Sequence, residues 1–188
     1  MPSYVAHTMF GETVRERLPE AQRSSGPDCC PVAFQWGAQG PDLLFFYNGF
    51  RKGPNPIGDC GAKMHKTCTP QLFAALRRYL TGLRDTPEFA AAWSYACGFL
   101  CHYALDKTVH PSVYFMQEKK RGQYHSSLPY GIHMKLETDM DTALYRRATG
   151  KNIRWFRMDP ALVERREELE ALARTQAYLL QEVYGQRY

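Results

Sequence analysis

The sequence has little of what several protein classes require. No apolar run approaches the roughly 20 residues of a membrane-spanning helix. The chain opens Met1-Pro2-Ser3-Tyr4-Val5-Ala6-His7, without the basic cluster and apolar stretch of a secretory leader. That opening points to a cytoplasmic protein, with a secreted mature form as the alternative. Internal repeats, low-complexity tracts and blocks of one charge are lacking. The net charge of +5 is spread along the chain and suits a phosphate-bearing partner without demanding one. Period-two alternation of apolar and polar residues, the mark of half-buried strands, is scarce. The six cysteines do not form a disulfide pattern. Cys29 and Cys30 are adjacent, Cys97 and Cys101 are one helical turn apart, and Cys60 and Cys68 lack the close pairing of a zinc knuckle. Reduced thiols are expected, with Cys97 and Cys101 as small core residues.

What is present is a helical pattern. At 188 residues and 44% hydrophobic composition, the chain is expected to form one domain over residues 1–188 with a full core. Thr69-Pro70-Gln71 opens a helix with a cap residue and a proline at its first position, and Leu72, Leu76, Leu80 and Leu83 form its apolar stripe. Thr86-Pro87-Glu88 repeats that signal ahead of a segment from Phe89 to about Asp106 that is apolar nearly all round. This should be the central buried helix, ended by His110-Pro111, because a residue before proline is pushed out of the helical region. A further helix is expected from about Tyr130 to Ala148, stopped by Gly150, and a last one from Asp159-Pro160 to near Tyr184. Shorter helices are expected around Val5–Leu18 and Asp42–Phe50. The Gly/Pro-rich stretches Ser24–Gly40 and Gly49–Gly61 are read as loops. The fold class is all-α.

Histidines carry the chemistry. His102 is followed four residues later by Asp106, which is followed four later by His110; His133 is followed four later by Glu137. On a helix that spacing puts imidazole and carboxylate on one face. Two helices presenting such faces can surround a metal inside a bundle, and the ligand set suits zinc with positions left for water. By chance about 0.6 of six histidines would have an acid four places on, against two here. Solvated ion pairs are the competing explanation. It fits poorly with Phe99, Leu100, Tyr103, Ala104 and Leu105 around His102 and Asp106, since a buried carboxylate needs a strong partner.

Gly40-Pro41-Asp42 precedes the run Leu43-Leu44-Phe45-Phe46-Tyr47, His65 is expected in a loop just before a helix, and His7 lies near the amino terminus. From His7 to Glu137 this order resembles the zinc-dependent phospholipase C family, which includes the phosphatidylcholine-cleaving bacterial enzymes and the catalytic domain of the clostridial alpha-toxin type. A related branch comprises three-zinc nucleases specific for single strands. The resemblance implies a helical bundle of this phospholipase C and zinc nuclease type. It implies Asp42, His65, His102 and Asp106 as ligands of a first zinc, and His110, His133 and Glu137 as ligands of a second. His7, a bridging Asp106 and the amino-terminal residue form the implied set for a third.

Three zinc ions would outweigh the carboxylates of Asp42, Asp106 and Glu137, leaving a cationic pocket that attracts a phosphodiester and stabilises its pentacoordinate transition state. Asp42 is the implied residue for orienting or deprotonating the nucleophile, with a hydroxide shared between ions as the alternative. The implied substrate is a phosphodiester, phospholipid before nucleic acid, with a transient membrane surface as a further partner and no protein partner. A zinc nuclease, a small-molecule phosphodiesterase and an inactive metal-binding protein are the competing functions. His125, a surface-loop histidine, is the weaker candidate for a phosphate contact. Tyr47, Phe46, Trp36 and Tyr130 are candidate pocket aromatics, with core packing the competing role. Lys119-Lys120-Arg121, before a glycine, reads as a solvated turn, with contact to anionic headgroups as the alternative.

Overall fold

A computed structural model describes residues 4–47, 53–121 and 129–186, and no strand occurs among them. The amino-terminal residue and His125 lie outside the described residues. The helices are α1 (Tyr4–Arg17), α2 (Glu20–Ser24), α3 (Pro31–Gln39), α4 (Leu43–Phe46), α5 (Pro56–Lys66), α6 (Thr69–Leu83), α7 (Phe89–Lys119), α8 (Pro129–Thr149), α9 (Ala161–Glu164) and α10 (Arg166–Tyr184). A 3-10 turn over Gly40–Asp42 joins α3 to α4. The all-α expectation holds. No described helix is long and apolar enough to cross a membrane.

The long helix α7 is the axis on which the others are laid. Its apolar circumference lets it contact α1, α3, α6, α8 and α10 at once. The main core gathers Ala33, Met64, Leu72, Leu76, Tyr95, Phe99 and Leu179. A smaller cluster of Val113, Ile132 and Leu136 joins the far end of α7 to α8. The closest helix pair is α3 on α7. A Cβ on Gly37 would stand 2.1 Å from the Tyr95 carbonyl oxygen, and one on Gly98 would stand 2.1 Å from that of Phe34. Only glycine at both positions lets the two backbones touch.

Three expectations need correction. Ser24–Gly40 and Gly49–Gly61 are not loops throughout, because α3 and the first half of α5 lie in them. Pro31 and Pro56 stand in the first turn of these helices, where a missing N–H costs nothing. Gly37 and Gly61 serve close packing, with the Pro41 carbonyl oxygen 3.0 Å from a Cβ placed on Gly61. His65 therefore lies in the last turn of α5 rather than in a loop.

The second correction concerns α7, which continues through Pro111 for two more turns. Pro111 and Lys107 are both exposed, so the Lys107 carbonyl that loses its helical donor can be solvated, while Val113 remains anchored in the core against α8. Third, the last helix is interrupted at Arg165, where the backbone leaves helical geometry between α9 and α10.

The first helix is tied to α8 at its start. The Asp141 carboxylate accepts hydrogen bonds from the N–H groups of Val5 (3.2 Å) and Ala6 (2.8 Å), donors that a helix amino terminus leaves without partners. His7 follows directly and is 4% exposed.

Candidate metal centre

Five elements deliver side chains to one place. The turn Gly40–Asp42 presents Asp42, α5 ends on His65, α7 contributes His102, Asp106 and His110 at successive turns, and α8 contributes His133 and Glu137. His7 comes from α1. Gly40 makes the approach feasible: its φ of +55° is a left-handed conformation, and a Cβ there would stand 2.5 Å from the His102 ring.

His65 Nε2 lies 3.1 Å from Asp42 Oδ1, 3.2 Å from His102 Nε2 and 3.5 Å from Asp106 Oδ2. His102 Nε2 lies 3.3 Å from Asp106 Oδ2, and His7 Nε2 lies 3.3 Å from Asp106 Oδ1. Across Asp106 the cluster continues. His110 Nδ1 is 3.8 Å from Asp106 Oδ2, and Glu137 Oε1 stands 3.4 Å from His110 Nε2 and 3.0 Å from His133 Nε2. Three sets of ligand atoms each lie within 4.8 Å: His7, His102 and Asp106; Asp42, His65 and His102; and His110, His133 and Glu137. All eight residues expected from the sequence converge, and Asp106 is the carboxylate between the sets.

The chemistry of this donor set fits a cation. Asp42 is 2% exposed, and its Oδ2 has no hydrogen-bond partner among the described residues. A buried carboxylate oxygen without a donor is costly unless a positive charge completes it. Two imidazole nitrogens facing each other, those of His65 and His102, repel as lone pairs unless a proton or a metal ion is shared between them.

The ring tautomers are arranged to point lone pairs inward. His65 Nδ1 donates to the Gly61 carbonyl oxygen at 2.7 Å, and His133 Nδ1 donates to Gln117 Oε1 at 3.1 Å, which leaves each Nε2 aimed at the cluster.

Electrostatics favour anionic carboxylates and divide the imidazoles. Burial alone would raise the Asp106 carboxyl, but hydrogen bonds from His102 and His7 outweigh it and hold it well below the usual range. Burial likewise opposes ionisation of Glu137, yet His110 and His133 bring it down to about 2. His102 is pushed below the ordinary histidine value by burial. His65 goes the other way, its burial outweighed by the hydrogen bond with Asp42, and the hydrogen bond with Glu137 raises His110; a metal ion at these nitrogens would take the place of a proton.

The cluster forms the floor of a cavity of about 1060 Å³. Its walls are formed by Phe45, Phe73, Leu100, Ala104 and Tyr103, for which the sequence suggested no pocket role. Trp36 is turned away and donates its indole N–H to the Leu162 carbonyl, while Phe46 and Tyr47 are exposed and do not line the cavity. Gln117 was also missed, although it stands on the face of α7 shared by Asp106 and His110 and could have been found by helical periodicity.

A family model described as zinc dependent phospholipase C matches residues 6–182 of the chain. Neither curated proteins nor solved structures match it.

Proposed function

Because the chain belongs to the zinc-dependent phospholipase C family, we propose that it hydrolyses a phospholipid at the phosphodiester bond, releasing a phosphorylated headgroup from diacylglycerol. The observation that carries this reading is the meeting of three zinc-type ligand sets on the floor of one cavity whose wall is apolar. Asp42, His65, His102 and Asp106 are assigned to one ion, His110, His133 and Glu137 to a second, and His7 with Asp106 to a third. When bound there, zinc supplies positive charge to the phosphoryl oxygens and acidifies coordinated water.

The residues supply the rest. Asp106 holds its negative charge between the ligand sets and spaces them, since its two oxygens face different histidines. Asp42 orients the attacking water and accepts its proton at Oδ2, the oxygen that no protein donor occupies. Gly61 and Gln117 keep the His65 and His133 rings in the tautomers that present Nε2. Leu100, Ala104 and Phe73 offer the glyceride portion an apolar surface and exclude water from one side of the floor.

The test is metal analysis of the purified protein followed by a panel of phospholipid, nucleotide and small phosphodiester substrates with and without chelator. Phospholipid cleavage that chelator abolishes and zinc restores is the expected result. Exclusive cleavage of single-stranded nucleic acid would place the chain in the nuclease branch, and zinc content with no turnover would make it a binding protein.

A further inference from the structure

Along the mouth of the cavity, α7 presents Leu100, Ala104, Lys107, Pro111, Tyr114 and Phe115 on its water-facing side. At 100° per residue these six fall within an arc of about 100°. They extend over 15 residue steps, or about 22 Å at the helical rise. Leu100 is 50% exposed, Tyr114 49% and Phe115 68%. A surface helix normally carries polar residues on this side. Five of these six also line the cavity, so the ridge is its rim rather than a separate feature.

Cations edge the ridge. Lys66 and Lys107 stand at the cavity wall and Lys119 follows one turn after Phe115. None of the three pairs with a carboxylate among the described residues, whereas Arg121 is held by Glu118 at 3.2 Å. An apolar strip flanked by free lysines is the pattern of a helix lying in the plane of an anionic lipid interface.

We propose that the cavity-side ridge of α7, from Leu100 to Phe115, is the surface by which this protein docks on an anionic phospholipid bilayer, with the mouth of the cavity held against the lipid. This rests on the phospholipid reading of the cavity, for a substrate embedded in a surface must be taken from the side on which that surface lies. Phe115 and Leu100 enter the acyl boundary, Tyr114 stays packed on His110 and His133 at the mouth, and Lys107 and Lys119 meet headgroup phosphates.

The experiment uses zinc-loaded full-length protein and two variants, Phe115→Ser and Lys119→Glu, neither of which lines the cavity. Binding is read by co-sedimentation with vesicles of phosphatidylcholine, with and without phosphatidylglycerol. Turnover is read separately on a short-chain phosphatidylcholine kept monomeric. The parent should bind the mixed vesicles and release at high salt. Phe115→Ser should bind about tenfold more weakly to the mixed vesicles, and Lys119→Glu should lose at least about tenfold there, with the loss confined to anionic lipid. Both variants should keep the parent kcat and KM on the monomeric substrate. Vesicle binding equal to the parent in both variants would overturn the proposal, as would a parent that ignores both vesicle types or pairs with a second copy through this face. If no protein cleaves the monomeric lipid but vesicle binding follows the expected order, docking stands and the phospholipase reading falls.

Discussion

Gly98→Ala tests how far the metal centre depends on a backbone contact one helical turn before His102. The new methyl carbon would stand 2.1 Å from the Phe34 carbonyl oxygen and 2.6 Å from the Ala38 nitrogen. Ordinary van der Waals contact begins near 3.4 Å, so α3 and α7 must part by about 1 Å. Overpacking of this kind costs roughly 1–3 kcal/mol, offset by less than about 1 kcal/mol of gained helix propensity. For a chain of this length the unfolding temperature should fall by several degrees, at about 2–4 °C per kcal/mol. The larger effect is on geometry. Gly40 and Asp42 follow α3 directly, so its displacement moves Asp42 relative to His102, and metal sites tolerate only about ±0.2 Å in ligand distance. The set containing Asp42 should lose zinc affinity, while His110, His133 and Glu137, carried by α7 and α8, keep theirs. Thermal unfolding of the zinc-free protein and competitive zinc titration against a chromophoric chelator measure the two effects. Gly82→Ala is the control, since nothing lies within 4 Å of its Cβ, and it should be neutral or slightly stabilising. A Gly98→Ala protein with the parent's unfolding temperature and zinc uptake would refute the reasoning.

Three further outcomes are expected. Asp106→Asn should lose more zinc than Asp42→Asn on metal analysis, because Asp106 faces histidines of both neighbouring sets while Asp42 serves one; equal zinc content would contradict that assignment. Gln117→Leu should leave the His133 ring free to rotate and weaken zinc binding at that set by about 10–100-fold, with little change in circular dichroism; unchanged affinity would deny Gln117 a positioning role. In the zinc-free protein Glu137, held at about 2 against an ordinary 4.5, contributes stability above the ordinary value and loses it as pH falls toward about 2. Acid unfolding of Glu137→Gln should therefore vary less over that interval than the parent's, and parallel curves would count against the ion pairs with His110 and His133.

The histidine and carboxylate positions were legible because they sit on helices at a spacing of four, and the outlying Asp42, His65 and His7 because their order resembles a known family. Loops were misread where glycine and proline had other reasons to be present. Pro31 and Pro56 begin helices, and Gly37 and Gly61 are small because a neighbouring backbone passes close by, a cause that exists only once the chain is folded. Pro111 misled for a related reason. Local preference ends a helix before proline, but Val113 on α7 packs with Ile132 and Leu136 of α8, and that packing favours continuation. Gln117 shares the face of Asp106 and His110 but lies beyond Pro111, where the helix was expected to have ended, and the cavity wall carried no signal because aliphatic side chains acquire a role only from what stands beside them.

The tie between Asp141 and the start of α1 has a consequence for how the protein comes into being. Val5 and Asp141 are 136 residues apart, so the first helix to leave the ribosome waits for one of the last before its amino terminus is satisfied. His7, one turn into that helix, takes its partners from α7, where it stacks on His102 and faces Asp106, while the start of the helix waits for Asp141 on α8. Contacts of such long sequence separation form late, after local helices and their neighbours. The nascent chain thus presents six of the eight ligand residues before α8 supplies His133 and Glu137. Metal capture by the whole centre is on this view a post-synthetic event, and an early ion bound to the partial set would have to be held loosely enough to let α8 close over it.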